Sequence, residues 1–224
     1  MATAVEPRAK RVLQGELRFL LPGVGWDGYE ALLRMIGDGN VRITYDRGDA
    51  ELMSPMIHHE HFKKVIARLI EALTEELNLP CEGAGSTTFR KPLEDRGLEP
   101  DECYYLANAD RMIGRLTLDL SVDPPPDLAI EIEITSSALD RMGIYAALGV
   151  PEVWRFDGET LTIERLQADR SYSVVDVSPQ LSMLSPAEVG RWVEIGMTIG
   201  QTELIRRFRK WVRKQLAPRR KRKS

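Results

Sequence analysis

Two periods of hydrophobic residues run along this chain, and each predicts its own kind of element. Recurrence of apolar residues at three and four positions predicts amphipathic helices over residues 26–36, 59–79, 139–148, 187–195 and 201–216. Alternation of apolar and polar residues predicts strands over residues 41–45, 50–53, 81–90, 99–106, 127–135, 151–156, 161–166 and 171–175. Strands mixed with two central helices, without a regular βαβ repeat, predict an α/β fold with a mixed sheet.

Short polar segments predict how these elements are joined. Residues 46–49 and 157–158 are typical of tight hairpin turns, so the strands on either side of each are expected to pair. Ser136 and Ser137 directly precede the helix over residues 139–148, and serine is a favoured N-terminal cap. We therefore expect these two serines to start the helix.

The strand over residues 127–135 carries the most informative polar pattern. Alternation places Glu131 and Glu133 together on the face opposite its apolar residues, which are Leu128, Ile130, Ile132 and Ile134. At a rise of about 3.3 Å per residue the two carboxylates lie roughly 7 Å apart, and they repel unless a positive charge is near. A divalent metal ion would supply that charge. A strand with a simply solvated polar face explains the same pattern.

An aspartate on a second strand strengthens the metal hypothesis. Asp101 follows a proline at the start of the strand over residues 99–106, which is expected to pair with the strand that carries Glu131. Phosphodiester hydrolysis with Mg²⁺, or with Mn²⁺ in its place, needs a few oxygen ligands on adjacent strands. We expect the carboxylates of Asp101 and Glu131 to be ligands, with the backbone carbonyl of Ile132 as a third.

Such chemistry also needs a positive side chain near the phosphate. Many metal nucleases place a lysine two residues after the acidic ligand, where this chain has Glu133. The nearest candidate is Arg141 on the following helix, which can clamp a phosphate and stabilise the transition state. Glu133 is then expected to accept a proton from water or to bind the metal.

Composition excludes several classes of protein. With 224 residues, 43% of them hydrophobic, the chain is long enough for one globular domain. No apolar run is long enough to cross a membrane, and the first residues do not resemble a secretory signal, so a cytoplasmic location is expected. Two cysteines are too few for a disulfide framework, and together with three histidines they do not form a zinc motif.

The charge is distributed unevenly along the chain. Residues 206–224 contain eleven basic residues and no acidic one, which leaves a net charge of −14 on residues 1–205. A basic C-terminal segment joined to an acidic body is typical of a protein that binds nucleic acid. A solvated helix face followed by a disordered tail explains the same charges. We divide the chain into a flexible N-terminus at 1–16, a domain at 17–200 and a basic helix and tail at 201–224.

Six segments together closely resemble the Uma2 family of endonucleases, which belongs to the PD-(D/E)XK nuclease superfamily. They are LMSP at 52–55, HE at 59–60, GSTT at 85–88, EPDECYY at 99–105, PDLAIEIEITSS at 126–137 and IYAALGVPEVW at 144–154. The resemblance spans roughly residues 40–165. It implies a restriction-endonuclease-like fold, with a mixed central β-sheet flanked by α-helices and a Mg²⁺-dependent site at the opened edge of the sheet.

The resemblance also assigns roles to individual residues. Asp101 corresponds to the motif aspartate and Glu131 to the motif acid, whereas Glu133 stands where the superfamily has lysine. Many relatives have this lysine on the next helix, at the position of Arg141. The resemblance further makes Glu60 an outer-shell or second-metal ligand, although a carboxylate at a helix start is also stabilised by the helix dipole.

The leading hypothesis is a Mg²⁺-dependent endonuclease that cuts DNA. The DNA is expected to bind at the active-site edge and at the basic C-terminus. A homodimer is expected, with no membrane partner. The competing hypothesis is a protein that has kept the fold but lost the motif lysine and binds nucleic acid or protein without cutting. A regulator in stress or defence whose acidic body binds another protein is the third.

Overall fold

In a computed structural model the chain is described over residues 15–37 and 39–216, and within them it forms two sheets flanked by helices. Eleven strands lie in the described residues: β1 Leu17–Leu21, β2 Arg42–Asp46, β3 Asp49–Ser54, β4 Glu82–Gly83, β5 Phe89–Lys91, β6 Arg96–Leu98, β7 Glu102–Tyr105, β8 Leu128–Ile132, β9 Glu152–Phe156, β10 Leu161–Leu166 and β11 Tyr172–Val175. The helices described are α1 Gly25–Ile36, α2 Ile57–Leu77, α3 Ala109–Met112, α4 Arg141–Leu148, α5 Pro186–Gly196 and α6 Gln201–Gln215.

The larger sheet is mixed and has six strands in the order β11-β10-β9-β8-β7-β4. Strands β8 and β9 are parallel, because α4 carries the chain back between them, and the other pairs are antiparallel. The predicted α/β fold with a mixed central sheet between helices is therefore confirmed.

The smaller sheet is antiparallel and has five strands in the order β1-β3-β2-β6-β5. The predicted hairpin at residues 46–49 joins β2 to β3, and it belongs to this second sheet rather than to the mixed one. Strand β1 forms an edge and pairs with β3 alone, with Leu17 opposite Ser54.

Three apolar clusters hold these layers together. The largest lies between the six-stranded sheet and helices α2, α5 and α6, and the side chains of β8 that enter it are Leu128, Ile130 and Ile132. A second cluster packs α4 between the other face of that sheet and strands β5 and β6. The third packs α1 on the smaller sheet. The face of β8 opposite the largest cluster therefore lies beside α4, and the polar side chains of that face are held there.

Helix α6 packs into the largest cluster through Leu204, Phe208 and Val212. The helix that was expected to begin the basic C-terminal segment thus shares a core with the preceding domain. Residues 1–14 of the predicted flexible N-terminus and residues 217–224 of the basic tail lie outside the described residues. Among the helices of the described chain, none has the length and apolarity to cross a membrane.

Two local predictions were wrong in detail. The strand expected over residues 81–90 is divided into β4 and β5, since Gly85 adopts a φ of +60°, which ends an extended strand. Helix α4 is not capped by Ser136 or Ser137: its cap is Asp140, whose side chain accepts a hydrogen bond from the Gly143 amide at 2.9 Å. Arg141 is therefore the first residue of α4.

Candidate active site at the junction of the sheets

The backbone of strand β8 holds Asp101 in place. The Asp101 amide donates to the Ile130 carbonyl at 3.1 Å, and Asp101 Oδ2 accepts from the Ile132 amide at 2.7 Å. These two hydrogen bonds bracket Glu131, and the two carboxylates are close enough for the charge of Asp101 to raise the pKa of Glu131. Both are buried, at 1% and 7% exposure. Asp101 is thus bound directly to the backbone of the strand that carries Glu131.

Glu131 is bound by two donors from helix α4. Arg141 Nη2 donates to Glu131 Oε1 at 2.5 Å, and the Tyr145 hydroxyl donates to the same oxygen. Burial raises the pKa of Glu131, the charge of Asp101 raises it further, and Arg141 opposes both effects. Because two donors point at one carboxylate oxygen, the ionised form of Glu131 is the one that this geometry satisfies.

Arg141 links three parts of the fold. Besides Glu131 on β8, it donates to the Thr44 hydroxyl on β2 and to the Glu99 carbonyl, the latter at 2.9 Å. Its side chain is only 12% exposed. Burial alone would lower the pKa of Arg141, but the charge of Glu131 raises it above its usual range. The guanidinium expected to clamp a phosphate is thus held by protein groups between the two sheets.

His59, in the first turn of α2, is the neighbour of Asp101. Its Nε2 lies 3.2 Å from Asp101 Oδ2, and the imidazole is fully buried. Burial alone would lower the pKa of His59, whereas its contact with Asp101 and the charge of that residue raise it above 6.5. In turn, burial alone would raise the pKa of Asp101, but the contact with His59 lowers it below 3.8. The pair is therefore favoured in its charged form and is held as an ion pair, since within the described residues neither ring nitrogen of His59 has a hydrogen-bond partner.

Glu133 lies further along the same face and is bound by an arginine. Arg155 Nε donates to Glu133 Oε2 at 3.0 Å, and the Nη2 of the same guanidinium contacts the same oxygen. Arg155 also donates to Glu164 at 2.8 Å. Glu133 and Glu131 line one cavity of about 250 Å³, whose other walls include the arginines at 18, 141 and 155.

Glu60 and Ile132 are placed differently from each other. The Glu60 carboxylate lies 2.7 Å from the Lys63 ammonium and 3.7 Å from His59 Nδ1, with 43% of its side chain exposed. It is not brought to Glu131. Ile132 does adjoin Asp101, through the amide that it donates, while its side chain is in the core as expected.

The segment between β8 and α4 is tied to the smaller sheet. Glu51 on β3 accepts hydrogen bonds from the Ser137 hydroxyl at 2.8 Å and the Ala138 amide at 2.6 Å. Arg18 on β1 donates to Glu51 at 2.7 Å and to the Thr135 hydroxyl at 3.3 Å. These contacts fix the chain just before Arg141, so the smaller sheet determines where helix α4 begins.

The predicted Mg²⁺ ligands do not fit a metal ion in this arrangement. Carboxylate oxygens are the right donors, but Glu131 Oε1 is already bound by Arg141 and Tyr145. Within residues 15–37 and 39–216 no three His, Cys, Asp or Glu side chains form a metal-ligand group. Positive charge is supplied instead by Arg141 beside Glu131 and by His59 beside Asp101. Metal binding by Glu131 would require Arg141 to move away.

Several residues of the site carried no recognised signal in the sequence. Tyr145 lies at core spacing on α4, yet its hydroxyl binds Glu131. Thr44, Glu51 and Arg18 belong to the smaller sheet, far away in sequence. For Thr44 and Glu51 the available signal is a polar residue among buried strand positions, since both are 2% exposed.

Comparisons with known proteins give matches over most of the chain. The sequence model of the Uma2 family, described as "Putative restriction endonuclease", matches residues 26–198. A crystal structure described as a putative nuclease belonging to DUF820 from Anabaena variabilis ATCC 29413 is similar at 16% identity and a TM-score of 0.47. That similarity covers 67% of this chain and 90% of the other. Among curated proteins, none matches significantly.

Proposed function

This chain belongs to the Uma2 family, and on that premise we propose that it is a nuclease that hydrolyses phosphodiester bonds in DNA. The observation that carries the proposal is the position of Asp101, which is hydrogen-bonded to the backbone of β8 on both sides of Glu131. Of these two buried carboxylates, Glu131 lines a cavity that is also lined by three arginines. Guanidinium groups suit phosphate oxygens because they offer paired N–H donors.

The side chains around the cavity suggest a division of roles. Arg141 and Tyr145 keep Glu131 ionised and oriented, and His59 does the same for Asp101. Glu133 is the carboxylate placed at the cavity wall to accept a proton from an attacking water, and Arg155 orients it. A requirement for Mg²⁺ or Mn²⁺ stays a prediction, and no step is assigned to a metal since Glu131 is already occupied.

The test is cleavage of supercoiled plasmid DNA, with single-stranded RNA as a second substrate, in Mg²⁺, Mn²⁺ or EDTA. We expect nicking by the wild type and a loss of about a hundredfold or more in Asp101→Asn and Glu131→Gln, since groups that act in the chemical step contribute on this scale. Glu152→Gln is the matched control. It changes another buried carboxylate of the same sheet, bound by the Trp154 indole at 2.6 Å, that does not line the cavity.

The control separates chemistry from stability. If Asp101→Asn is folded by circular dichroism and cuts as fast as the wild type, the proposal fails. Equal losses in all three variants would show that unfolding, and not catalysis, explains them. Thermal unfolding with and without Mg²⁺ or Mn²⁺ tests the predicted metal directly, because a ligand of the folded state raises the unfolding midpoint.

A second function is favoured by one observation. Each charged group expected to act in catalysis is already paired within the protein, as Glu131 is with Arg141 and Glu133 with Arg155. A protein that binds nucleic acid or another protein without cutting would show the same arrangement. DNA binding with no cleavage under any metal condition would establish this alternative.

We further propose that the active form is a homodimer, since cutting two strands is simplest with two sites. The exposed edge strand β1 supports this, because Leu17 and Phe19 are more than half exposed there. Light scattering after size-exclusion chromatography gives the mass directly, and a monomer at all concentrations would contradict the proposal.

A further inference from the structure

The basic residues of helix α6 fall into two sets with different surroundings. The helix has six basic residues and one acidic residue, Glu203. Its apolar side faces α2 and α5, and Trp192 of α5 lies edge-on to Phe208 with ring centroids 5.2 Å apart. Because this packing fixes the rotation of the helix, each basic side chain has a defined direction.

The first set is neutralised within the protein. Arg209 binds Glu75 and Glu76 near the end of α2, the latter at 3.0 Å. Arg213 binds Glu76 at 2.5 Å. Arg207 binds Glu203 one turn earlier in its own helix, at 2.8 Å. The charges of these three arginines are therefore paired with carboxylates of the protein itself.

The second set is Arg206, Lys210 and Lys214, which we call the basic row. All three are exposed, and their spacing of four residues places them along one side of the helix. Within residues 15–37 and 39–216 none has an acidic group within ion-pair distance. Glu203 is close enough for the charges of Arg206 and Lys210 to lower its pKa, but it is hydrogen-bonded to Arg207. The row therefore presents three uncompensated positive charges.

We propose that the basic row binds the sugar–phosphate backbone of nucleic acid, at a surface separate from the candidate active site. The inference rests on the proposed function for the identity of the ligand. Like charges four residues apart destabilise a helix, and a polyanion relieves this repulsion. At a rise of 1.5 Å per residue the row is about 12 Å long, a length over which duplex DNA carries about seven charges.

Two further observations favour nucleic acid over an anionic membrane. The exposed side of α6 consists of polar and charged residues, with Trp211 turned inward onto Phe208 at a centroid distance of 5.6 Å. A helix that lies in a membrane surface inserts large apolar residues, and this face offers none. In addition, the sequence continues with five consecutive basic residues at 219–223, which extends the same charge.

The experiment compares two triple variants that lose the same net charge. Arg206→Gln/Lys210→Gln/Lys214→Gln removes the row, and Arg34→Gln/Arg115→Gln/Arg170→Gln removes three arginines that are also exposed but that have acidic neighbours. Binding of a labelled DNA duplex of ~30 base pairs is followed by fluorescence anisotropy in EDTA at ~50 and ~200 mM salt. A gel confirms that the DNA stays intact.

Each phosphate contact contributes about −0.9 to the slope of log K against log salt, so three contacts contribute about −2.7. Wild-type affinity should therefore fall about 40-fold more than that of the row variant over this fourfold rise in salt. The control triple should follow the wild type. Equal slopes for the row variant and the wild type, or equal changes in the two triples, would overturn the proposal.

Two further measurements keep this inference distinct from the proposed function. Sedimentation with anionic lipid vesicles tests the membrane alternative. If the row variant alone loses vesicle binding while its DNA binding is unchanged, the ligand of the row is a membrane and not nucleic acid. Cleavage of plasmid DNA by the wild type is measured separately from this binding. If the wild type cuts DNA but the row variant has the wild-type slope of log K against log salt, only this inference is refuted. If the wild type never cuts DNA but the row variant has a reduced slope, only the nuclease proposal is refuted.

Discussion

Two arginine–glutamate pairs in this molecule have the same length and opposite surroundings. Arg141 and Glu131 are 2.5 Å apart between the two sheets, with 12% and 10% of their side chains exposed. Arg213 and Glu76 are also 2.5 Å apart, on the outside of the α2–α6 pair, where the Arg213 side chain is 61% exposed and the Glu76 side chain 11%. Distance alone would rank these pairs as equal.

The comparison teaches that burial decides what such a pair does. In water an ion pair exchanges one set of strong interactions for another and is screened by salt, so it contributes little. Between the sheets neither partner can regain water, and the loss of one leaves a buried charge uncompensated. The buried pair therefore determines whether the site is assembled, whereas the exposed pair only determines which charges of α6 remain available.

The largest effect should come from breaking the buried pair. We expect Arg141→Met to lower the free energy of unfolding by about 3–5 kcal/mol, because Glu131 then stays buried beside Asp101 without its cation. Urea unfolding followed by circular dichroism measures this loss. The double variant Arg141→Met/Glu131→Leu should recover most of it, since both charges are then absent, and a single variant as stable as the wild type would refute the assignment.

A smaller effect, present only in the buried region, should be a pH dependence from His59. Its pKa is higher in the folded protein than 6.5, so its stabilisation is complete below about that pH and is lost as pH rises through the folded value. The neighbouring carboxylates that favour this charge are Asp101, Glu16 and Glu60. Asp101 acts in the opposite range, because its lowered pKa gives stability above 3.8 that is lost in stronger acid.

The measurement is the free energy of unfolding from about pH 5.5 to pH 8.5 for the wild type and His59→Gln. The advantage of the wild type over the variant should shrink as pH rises. Parallel curves would show that His59 does not gain a proton on folding, and would contradict the charged His59–Asp101 pair.

The smallest effect should follow the same substitution at the exposed pair. Arg213→Met should leave the urea midpoint within experimental error of the wild type, because Glu76 keeps Arg209 as a partner at 3.0 Å and Arg213 is largely in water. A loss as large as that of Arg141→Met would show that burial is not what separates the two pairs.

Much of the fold could be predicted from hydrophobic period alone, since the spacing of apolar residues in a long amphipathic helix or an alternating strand identifies its buried face. Helix α2 and strands β8 to β10 lie where the pattern placed them. Their pairing in one mixed sheet follows from the order of elements. The division into two sheets did not follow, because alternation identifies a strand but not the sheet that it joins.

The candidate site was predictable only in part. Asp101 was expected beside the strand that carries Glu131, and it is hydrogen-bonded to the backbone of that strand. The partner of Arg141 was not predicted, because sequence spacing places a residue on a helix but does not show which groups from distant strands lie opposite it. Thr44 is such a group, 97 residues from Arg141 along the chain. Tyr145 is on the same helix as Arg141, and its spacing is that of a core residue although its hydroxyl donates to Glu131.

Helix α2 connects the two regions compared above as a fixed spacer. His59 in its first turn binds Asp101, and Glu76 near its last turn binds the arginines of α6. At 1.5 Å per residue these ends are about 25 Å apart, which equals about seven base pairs of duplex DNA. An unbroken helix cannot change this distance, so the separation between the candidate site and the ion pairs of α6 is set by the number of turns in α2.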